Sequence, residues 1–285
     1  VNEQRFSTEY FPNQRFEQST VSIFATGIRN IISSRDLIFQ LFKRDFFAQY
    51  KKSFIGIGWA IITPVFSVAS WLLMQLTGVL SPGDTLVPYT VYLLIGSAVW
   101  GFFVNMVNAG ATTLSSGADL IQQIKYPHEA LLFKQVMIQI VNFFISFVLI
   151  VAVVLVSGFI PSWKTVFLPL LLIPLFLIGS AAGLVVAIVS VVATDISRFV
   201  NHIMMFLIYT VPVIYSDQVN SRFLQALIQY NPLTYLVCSA RDMVLLGQMY
   251  NWTGFWLATA GSLLLFAVVW RAFYIIEDKL VERMV

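Results

Sequence analysis

Charge is what this sequence has least of. Asp, Glu, Lys and Arg make up 11% of its 285 residues, against 58% hydrophobic residues and a mean hydropathy of +0.81. A soluble domain carries roughly 25% charged residues, and a soluble chain of this length cannot enclose so much apolar surface in one core. The solvent for most of this chain is therefore lipid. Cysteine is almost absent as well: Cys238 stands alone, which excludes an internal disulfide and a cysteine-clustered metal site. With only His128 and His202, a histidine-rich metal site is excluded too. The sequence has no phosphate-cradling G-x-x-x-x-G-K-[ST] loop, no H-E-x-x-H, no nucleophile elbow and no paired carboxylates in a plausible site. The expectation is a chain that is not an enzyme and binds no cofactor or metal of its own.

The positions of the few charges are informative. A bilayer core of about 30 Å takes around 20 apolar helical residues, and seven windows carry no charged side chain: 53–83, 85–118, 135–163, 165–194, 199–216, 223–240 and 243–270. Six of them read as spanning helices over roughly 54–80, 88–114, 134–157, 165–192, 199–216 and 253–275. The remaining window holds Gln225, Gln229 and the Asn231-Pro232 turn signal, so residues 216–240 read as a re-entrant or surface helical hairpin rather than a span. Lys and Arg set the orientation. With both termini cytoplasmic, 14 of the 17 basic residues fall on the cytoplasmic side, and only Lys164, Arg222 and Arg241 on the other. The net charge of +3 is thus an orientation signal rather than a nucleic-acid footprint. No apolar stretch in the first 50 residues has the form of a cleavable signal peptide. Pro64, Pro169, Pro174 and Pro212 each remove a backbone donor from an expected span and are candidates for kinks. Gly179 and Gly183 form a GxxxG pair suited to close helix packing.

Three segments outside the spans carry their own signals. Residues 35–52 place Asp36, Gln40, Lys43, Arg44 and Lys51 on one arc of a helix and Leu37, Ile38, Phe39, Leu41, Phe42 and Phe46 on the other, with Asp45 and Phe47 as exceptions. This pattern fits a helix lying on the membrane surface, cations toward anionic head groups; a plain positive-inside flank is the other reading. Residues 115–133 form the largest internal cytoplasmic loop. It reads as a docking knob for a soluble partner or as an ordinary connector, which would normally be shorter. Residues 1–34 read as a polar tail, and 277–285 as a short cytoplasmic tail.

Ion-coupled transporters use ionisable groups inside their spans as relays, and none of the six expected spans has an Asp, Glu, Lys or Arg in its interior. His202, near the end of the fifth, reads as a neutral histidine bonded to a backbone carbonyl. The membrane part supplies a path but no energy. Aromatics are plentiful, and most near span ends are explained by interface anchoring. Trp71 and Trp100, with Phe103, lie deeper. Aromatic faces in a conduit stack on the C–H faces of sugar rings much as they do on bases, which gives a candidate channel set of Trp71, Trp100, Phe103, Tyr209 and Tyr215; ordinary helix packing accounts for any one of them equally well.

The stretch FKRDFFAQYKKSFIGIGWAIITPVF (42–66) resembles the opening segment of polysaccharide-exporting ABC transporter permeases. Their pattern is a basic amphipathic helix followed by S-x-x-G-x-x-W-x-x-x-x-P, here Arg44, Asp45, Tyr50, Ser53, Gly56, Trp59 and Pro64. The segments 88–103, 124–131 and 230–247 fit in order. The resemblance implies an all-α membrane protein of six spans in a homodimer, with two copies of a separate ATPase that hold ATP and Mg²⁺. Its implied cargo is a polyprenyl-diphosphate-linked glycan: O-antigen first, capsule or wall teichoic acid as alternatives, in a bacterial cytoplasmic membrane. Residues 35–52 become a gate helix, with Lys43, Arg44, Lys51 and Lys52 meeting the pyrophosphate. Gln122, Lys125, Tyr126, Pro127 and His128 become the ATPase-coupling loop. Tyr230, Asn231, Pro232 and Tyr235 become the periplasmic gate. A permease for a small lipid or drug shares the architecture, and an ion-driven transporter working without an ATPase is the alternative from another class.

Overall fold

The computed structural model describes residues 19–51, 54–59, 85–113, 128–191, 195–218 and 221–284, with isolated positions 62, 66, 69–70, 73–74, 76–78, 83 and 193. Among them are nine α-helices. In chain order they are α1 (Thr20–Ser33), α2 (Arg35–Lys51), α3 (Tyr89–Ala111), α4 (His128–Val156), α5 (Leu168–Ser190), α6 (Asp195–Leu207), α7 (Arg222–Tyr230), α8 (Pro232–Leu245) and α9 (Trp252–Met284). Short 3-10 turns occupy Gly56–Gly58, Trp163–Phe167 and Ile208–Thr210. Within the expected first span, 54–80, twelve of the 27 residues, Pro64 and Trp71 among them, lie outside the described residues.

Among the described residues, four helical segments are long and apolar enough to cross a membrane: α3, Glu129–Val156 of α4, Trp163–Ser190 including α5, and Trp252–Ile276 of α9. Their most apolar stretches are 67% and 61% buried in α3 and α5 but 28% in α4 and α9, so the first two form the centre and the others the rim. On the rim, Val148, Leu257 and Leu264 are each more than 60% exposed. A protein in water does not leave such a belt bare; lipid covers it.

The centre closes on glycine. A Cβ added to Gly183 would strike the Val107 carbonyl oxygen and lie 2.8 Å from Gly110 Cα, and one added to Gly179 would lie 2.7 Å from Met106 Cβ. The GxxxG pair of α5 thus brings its backbone against that of α3, and the gain is dispersion between closely fitted surfaces. The chain threads back and forth around this contact. α3, α5 and α9 begin at the end of the bundle that carries α7 and α8. α4 and α6 begin at the other, where α1 and α2 lie, as the Tyr89–Ile214, Ser162–Val244, Lys134–Asp45 and Arg271–Thr20 hydrogen bonds fix.

Three expectations need correction. The expected fifth span, 199–216, is not one helix: α6 ends at Leu207, a 3-10 turn follows, and 211–216 are turns. Pro212 has no N–H to continue the helix, and carbonyls released beyond it are taken by distant side chains. Only Pro174 lies inside a helix; Pro169 sits in the first turn of α5, where a missing donor is harmless, and Pro212 lies beyond a helix end, while Pro64 is outside the described residues. The polar tail is helical over Thr20–Ser33, capped by Ser19, whose Oγ accepts from Ser22 N. That helix packs on α9: Phe24 stacks on Trp270 at 6.2 Å between centroids, and Arg271 Nη1 donates to Thr20 Oγ1 at 2.6 Å.

Gly183→Leu should force α3 and α5 apart, at a cost of about 1–3 kcal/mol or more. Gly101→Ala, with nothing within 4 Å of its new Cβ, should be neutral or slightly stabilising. Thermal unfolding of both variants in detergent checks this; equal stability would contradict the packing account.

Candidate functional site

An open groove of about 840 Å³ runs along the bundle between α3, α4 and α6. Its apolar floor is aromatic: Trp100 is only 6% exposed, Phe102 meets Phe143 edge-on at 4.9 Å, and Phe143 stacks on Phe147 at 5.5 Å. Polar side chains interrupt it at Asn105, Asn142, Ser146 and Asn201, with Gln49 of α2, Trp59 and the half-exposed Tyr209 at its margins. Amides and hydroxyls hydrogen-bond in both senses without carrying charge. The groove can therefore pass a polar, uncharged surface that an all-aliphatic wall would reject.

At one end of the groove the backbone leaves helical geometry, and several of the freed carbonyls meet side-chain hydroxyls or a guanidinium. Tyr89 Oη donates to Ile214 O at 2.7 Å, and Tyr92 Oη lies 2.9 Å from Pro212 O and 3.0 Å from Tyr215 O. Arg241 Nη1 donates to Pro212 O at 2.6 Å while its Nε donates to Asp242 Oδ1 at 2.7 Å. The guanidinium carbon stands 4.0 Å over the Tyr92 ring, a cation–π contact strengthened by burial. Gly96 leaves space for this arginine: a Cβ there would sit 3.4 Å from both Arg241 Cδ and Val213 O. Non-helical backbone at membrane depth persists only where protein or water satisfies it, and here tyrosines and an arginine do so. Gly247 (φ +68°), where a Cβ would meet Ser162 Oγ at 2.5 Å, lets Lys164 Nζ reach its carbonyl at 2.9 Å and ties the α4–α5 connection to the end of α8.

At the opposite end α2 packs on α4. Ile38, Leu41 and Phe46 are buried, while Lys43, Arg44 and Lys51 are exposed. Asp45, the residue that breaks the polar–apolar pattern of α2, accepts from Lys134 Nζ at 2.7 Å and from Arg44 Nε at 2.7 Å. The Lys134 side chain is fully buried. Burial alone would raise the Asp45 pKa, but the hydrogen bonds and charges of Arg44 and Lys134 outweigh it and hold the carboxyl below its ordinary value.

The structure brings Trp100 and Tyr209 to one groove. Phe103, in contact with Trp100 at 5.3 Å, is buried against Gly179 of α5, and Tyr215 sits in the turn region with its Oη donating to Tyr209 O at 2.7 Å. Trp71, Lys52, Gln122, Lys125, Tyr126 and Pro127 lie outside the described residues, and His128 is described only as the first residue of α4. Tyr230 is 87% exposed. Asn231 caps α8, accepting from Leu233 N at 3.0 Å and donating to Thr210 Oγ1 at 2.9 Å, with Pro232 at the first helical position. Tyr235 Oη donates to Gln229 O at 2.7 Å. His202 Nδ1 lies 2.8 Å from Arg198 O. Sequence reading overlooked Arg241; an Arg-Asp pair inside a largely apolar helix was the available signal. No group of three metal-ligating side chains occurs among the described residues.

The described residues thus form an all-helical, multi-pass membrane protein with an open groove. The profile of the ABC-2 type transporter family matches residues 36–245, and the chain belongs to that family. Family members lack an ATPase domain and bind no cofactor themselves; they pair with separate nucleotide-binding subunits. The chain is similar to the O-antigen export system permease protein RfbA of Klebsiella pneumoniae, 25% identical over 217 residues that cover 75% of this chain and 82% of the relative. It is also similar to the protein of the same name from Myxococcus xanthus, 24% identical over 188 residues, 66% of this chain and 71% of that one.

Asp45→Ala should strand the Lys134 ammonium and cost about 3–5 kcal/mol, whereas Asp45→Ala with Lys134→Leu should recover most of it. Because the folded pKa of Asp45 is depressed, the pair's contribution is fully present above the unfolded value of about 3.9 and is lost as pH falls through the folded one. A double-mutant cycle by thermal unfolding in detergent, run at pH 7 and pH 3, checks both points.

Proposed function

We propose that this chain is the membrane subunit of an ATP-driven exporter that moves a polyprenyl-diphosphate-linked polysaccharide, O-antigen in the first place, across a bacterial cytoplasmic membrane. The observation that carries the reading is the groove: an aromatic floor crossed by neutral Asn and Ser side chains, in a chain of this family whose curated relatives are O-antigen export permeases. A glycan chain presents C–H faces for the rings and hydroxyls for the amides. A simple lipid tail would leave the asparagines without partners.

In this reading six spans, both termini cytoplasmic, make half of a conduit, and a second copy closes the groove into a channel. Trp100 and Tyr209 line it, Trp71 is a further channel aromatic, and Phe103 and Tyr215 stand behind or beyond. A diphosphate cannot enter hydrocarbon unshielded, so Lys43, Arg44, Lys51 and Lys52 on the gate helix meet it with charge-assisted hydrogen bonds. Two copies of the ATPase, which hold ATP and Mg²⁺, seat the loop of Gln122, Lys125, Tyr126, Pro127 and His128. That loop leads directly into α4, and the Asp45–Lys134 bridge joins α4 to the gate helix. Motion at the loop thereby reaches the cation cluster through one ion pair. Tyr230, Asn231, Pro232 and Tyr235 form the exit gate at the far end. Wall teichoic acid and capsule share the cargo chemistry and are the neighbouring readings.

Deleting the gene should remove one surface polymer while its lipid-linked precursor accumulates inside, and complementation with Trp100→Ala should restore the polymer less than the wild type does. Immunoblotting of surface glycans with analysis of extracted lipid-linked sugars checks this. An unchanged set of surface polymers would sink the export reading.

A further inference from the structure

A second cleft, of about 600 Å³, opens at the α7–α8 end of the bundle, away from the groove. Its walls are Asp217, Gln229, Tyr230, Tyr235, Tyr250 and Asn251. They come from four pieces of chain: the turns after α6, the end of α7, the start of α8 and the loop into α9. Tyr250 Oη donates to Asp217 Oδ2 at 2.9 Å, bridging 33 residues of sequence. The Tyr235 and Tyr250 rings stand 6.3 Å apart at 52°, forming a corner rather than a stack. Tyr235 is set by its bond to the Gln229 carbonyl and by Gly254, where any Cβ would strike its ring. Asn251 is held at the rim by the Gly254 N–H, which donates to its Oδ1 at 2.7 Å. Tyr230, almost wholly exposed, adds a third ring.

The chemistry of the walls narrows the ligand. An apolar molecule would bury the carboxylate and amides without partners. An anion would meet Asp217 with no Lys or Arg in the walls to offset it. A neutral sugar ring fits both halves, with C–H faces against tyrosine rings and hydroxyls shared among carboxylate and carboxamide groups. The volume lies within the ordinary range for small-molecule sites, about 300–1,000 Å³. Burial, with the Asp217 carboxylate beside it, pushes the Tyr250 phenol well above its ordinary pKa, so it remains a hydrogen-bond donor.

We propose that this cleft is a carbohydrate subsite for one neutral glycosyl unit, separate from the groove and built on the mouth of the helical hairpin. The inference rests on the export reading only for which face of the membrane it occupies and which glycan reaches it. There it would hold an emerging chain and oppose its slipping back.

The test is photo-cross-linking of the full chain in lipid nanodiscs. The probes are diazirine-bearing methyl glycosides of glucose, galactose, mannose, rhamnose and N-acetylglucosamine, with cross-linked peptides mapped by mass spectrometry. At least one glycoside should label peptides within 217–252, suppressed by the unlabelled neutral sugar but not by methyl glucuronide or inorganic phosphate. Labelling should fall about ten-fold in Tyr230→Ala and in Asp217→Ala. Tyr230 packs against little, so its variant keeps the fold, and circular dichroism verifies both. No label in this region from any glycoside, label unchanged in both variants, or equal suppression by glucuronide would overturn the subsite. Loss of a surface polymer in the deletion strain without cross-linking here would leave the export reading standing and remove this one. Cross-linking here with no polymer lost would do the reverse.

Discussion

Hydrocarbon offers a helix no partner for a charge or an open carbonyl, and this constraint shapes the whole molecule. Charges are confined to the ends of the described spans, and two buried cations there are paired. Lys134 has Asp45. Arg241 has Asp242, the Pro212 carbonyl and the Tyr92 ring. Between these anchors α3 and α5 close on Gly179 and Gly183, which let the α5 backbone meet Phe103, Met106, Val107 and Gly110 of α3. Where the backbone does leave helical geometry, at 211–216, tyrosine hydroxyls and a guanidinium take the released carbonyls. The polar groups at that end are thus spent on holding an irregular turn in place.

The same constraint divides the work between chains. The described spans carry no chain of ionisable groups that could relay protons or ions through the membrane, and the family supplies no ATPase domain. What the spans offer is a groove with neutral hydrogen-bonding side chains over aromatic rings. The export reading proposed above rests on that division: a passive path here and a nucleotide-driven partner beneath.

Much of this was legible in the sequence, and the reason is specific. Charge-free windows locate α3, α4, α5 and α9 because a membrane span is a local property of about 20 consecutive residues. The Asn231-Pro232 turn and the Gly179–Gly183 pair were likewise local signals with local mechanisms. The break after α6 was only partly legible: Pro212 marked it, but the donors that hold it come from Tyr89 and Tyr92, more than 100 residues away. For the same reason Asp45 looked like a flaw in an amphipathic pattern until Lys134 supplied its partner. The groove was half legible. Trp100 and Tyr209 stood out as aromatics, whereas Asn105, Asn142 and Asn201 drew no notice, since neutral amides scattered across three helices form no motif in one dimension. The helix over Thr20–Ser33 escaped because its anchors, Trp270 and Arg271, lie at the other end of the chain.

The central claim is that this polypeptide is a path without a motor. Reconstitution into sealed vesicles, alone and together with its ATPase, measured by the passage of a lipid-linked oligosaccharide against its gradient, tests it directly. The account predicts no uphill movement by the chain alone, with or without an ion gradient, and movement dependent on ATP hydrolysis once the ATPase is present. Uphill movement driven by the chain alone under an ion gradient would contradict it.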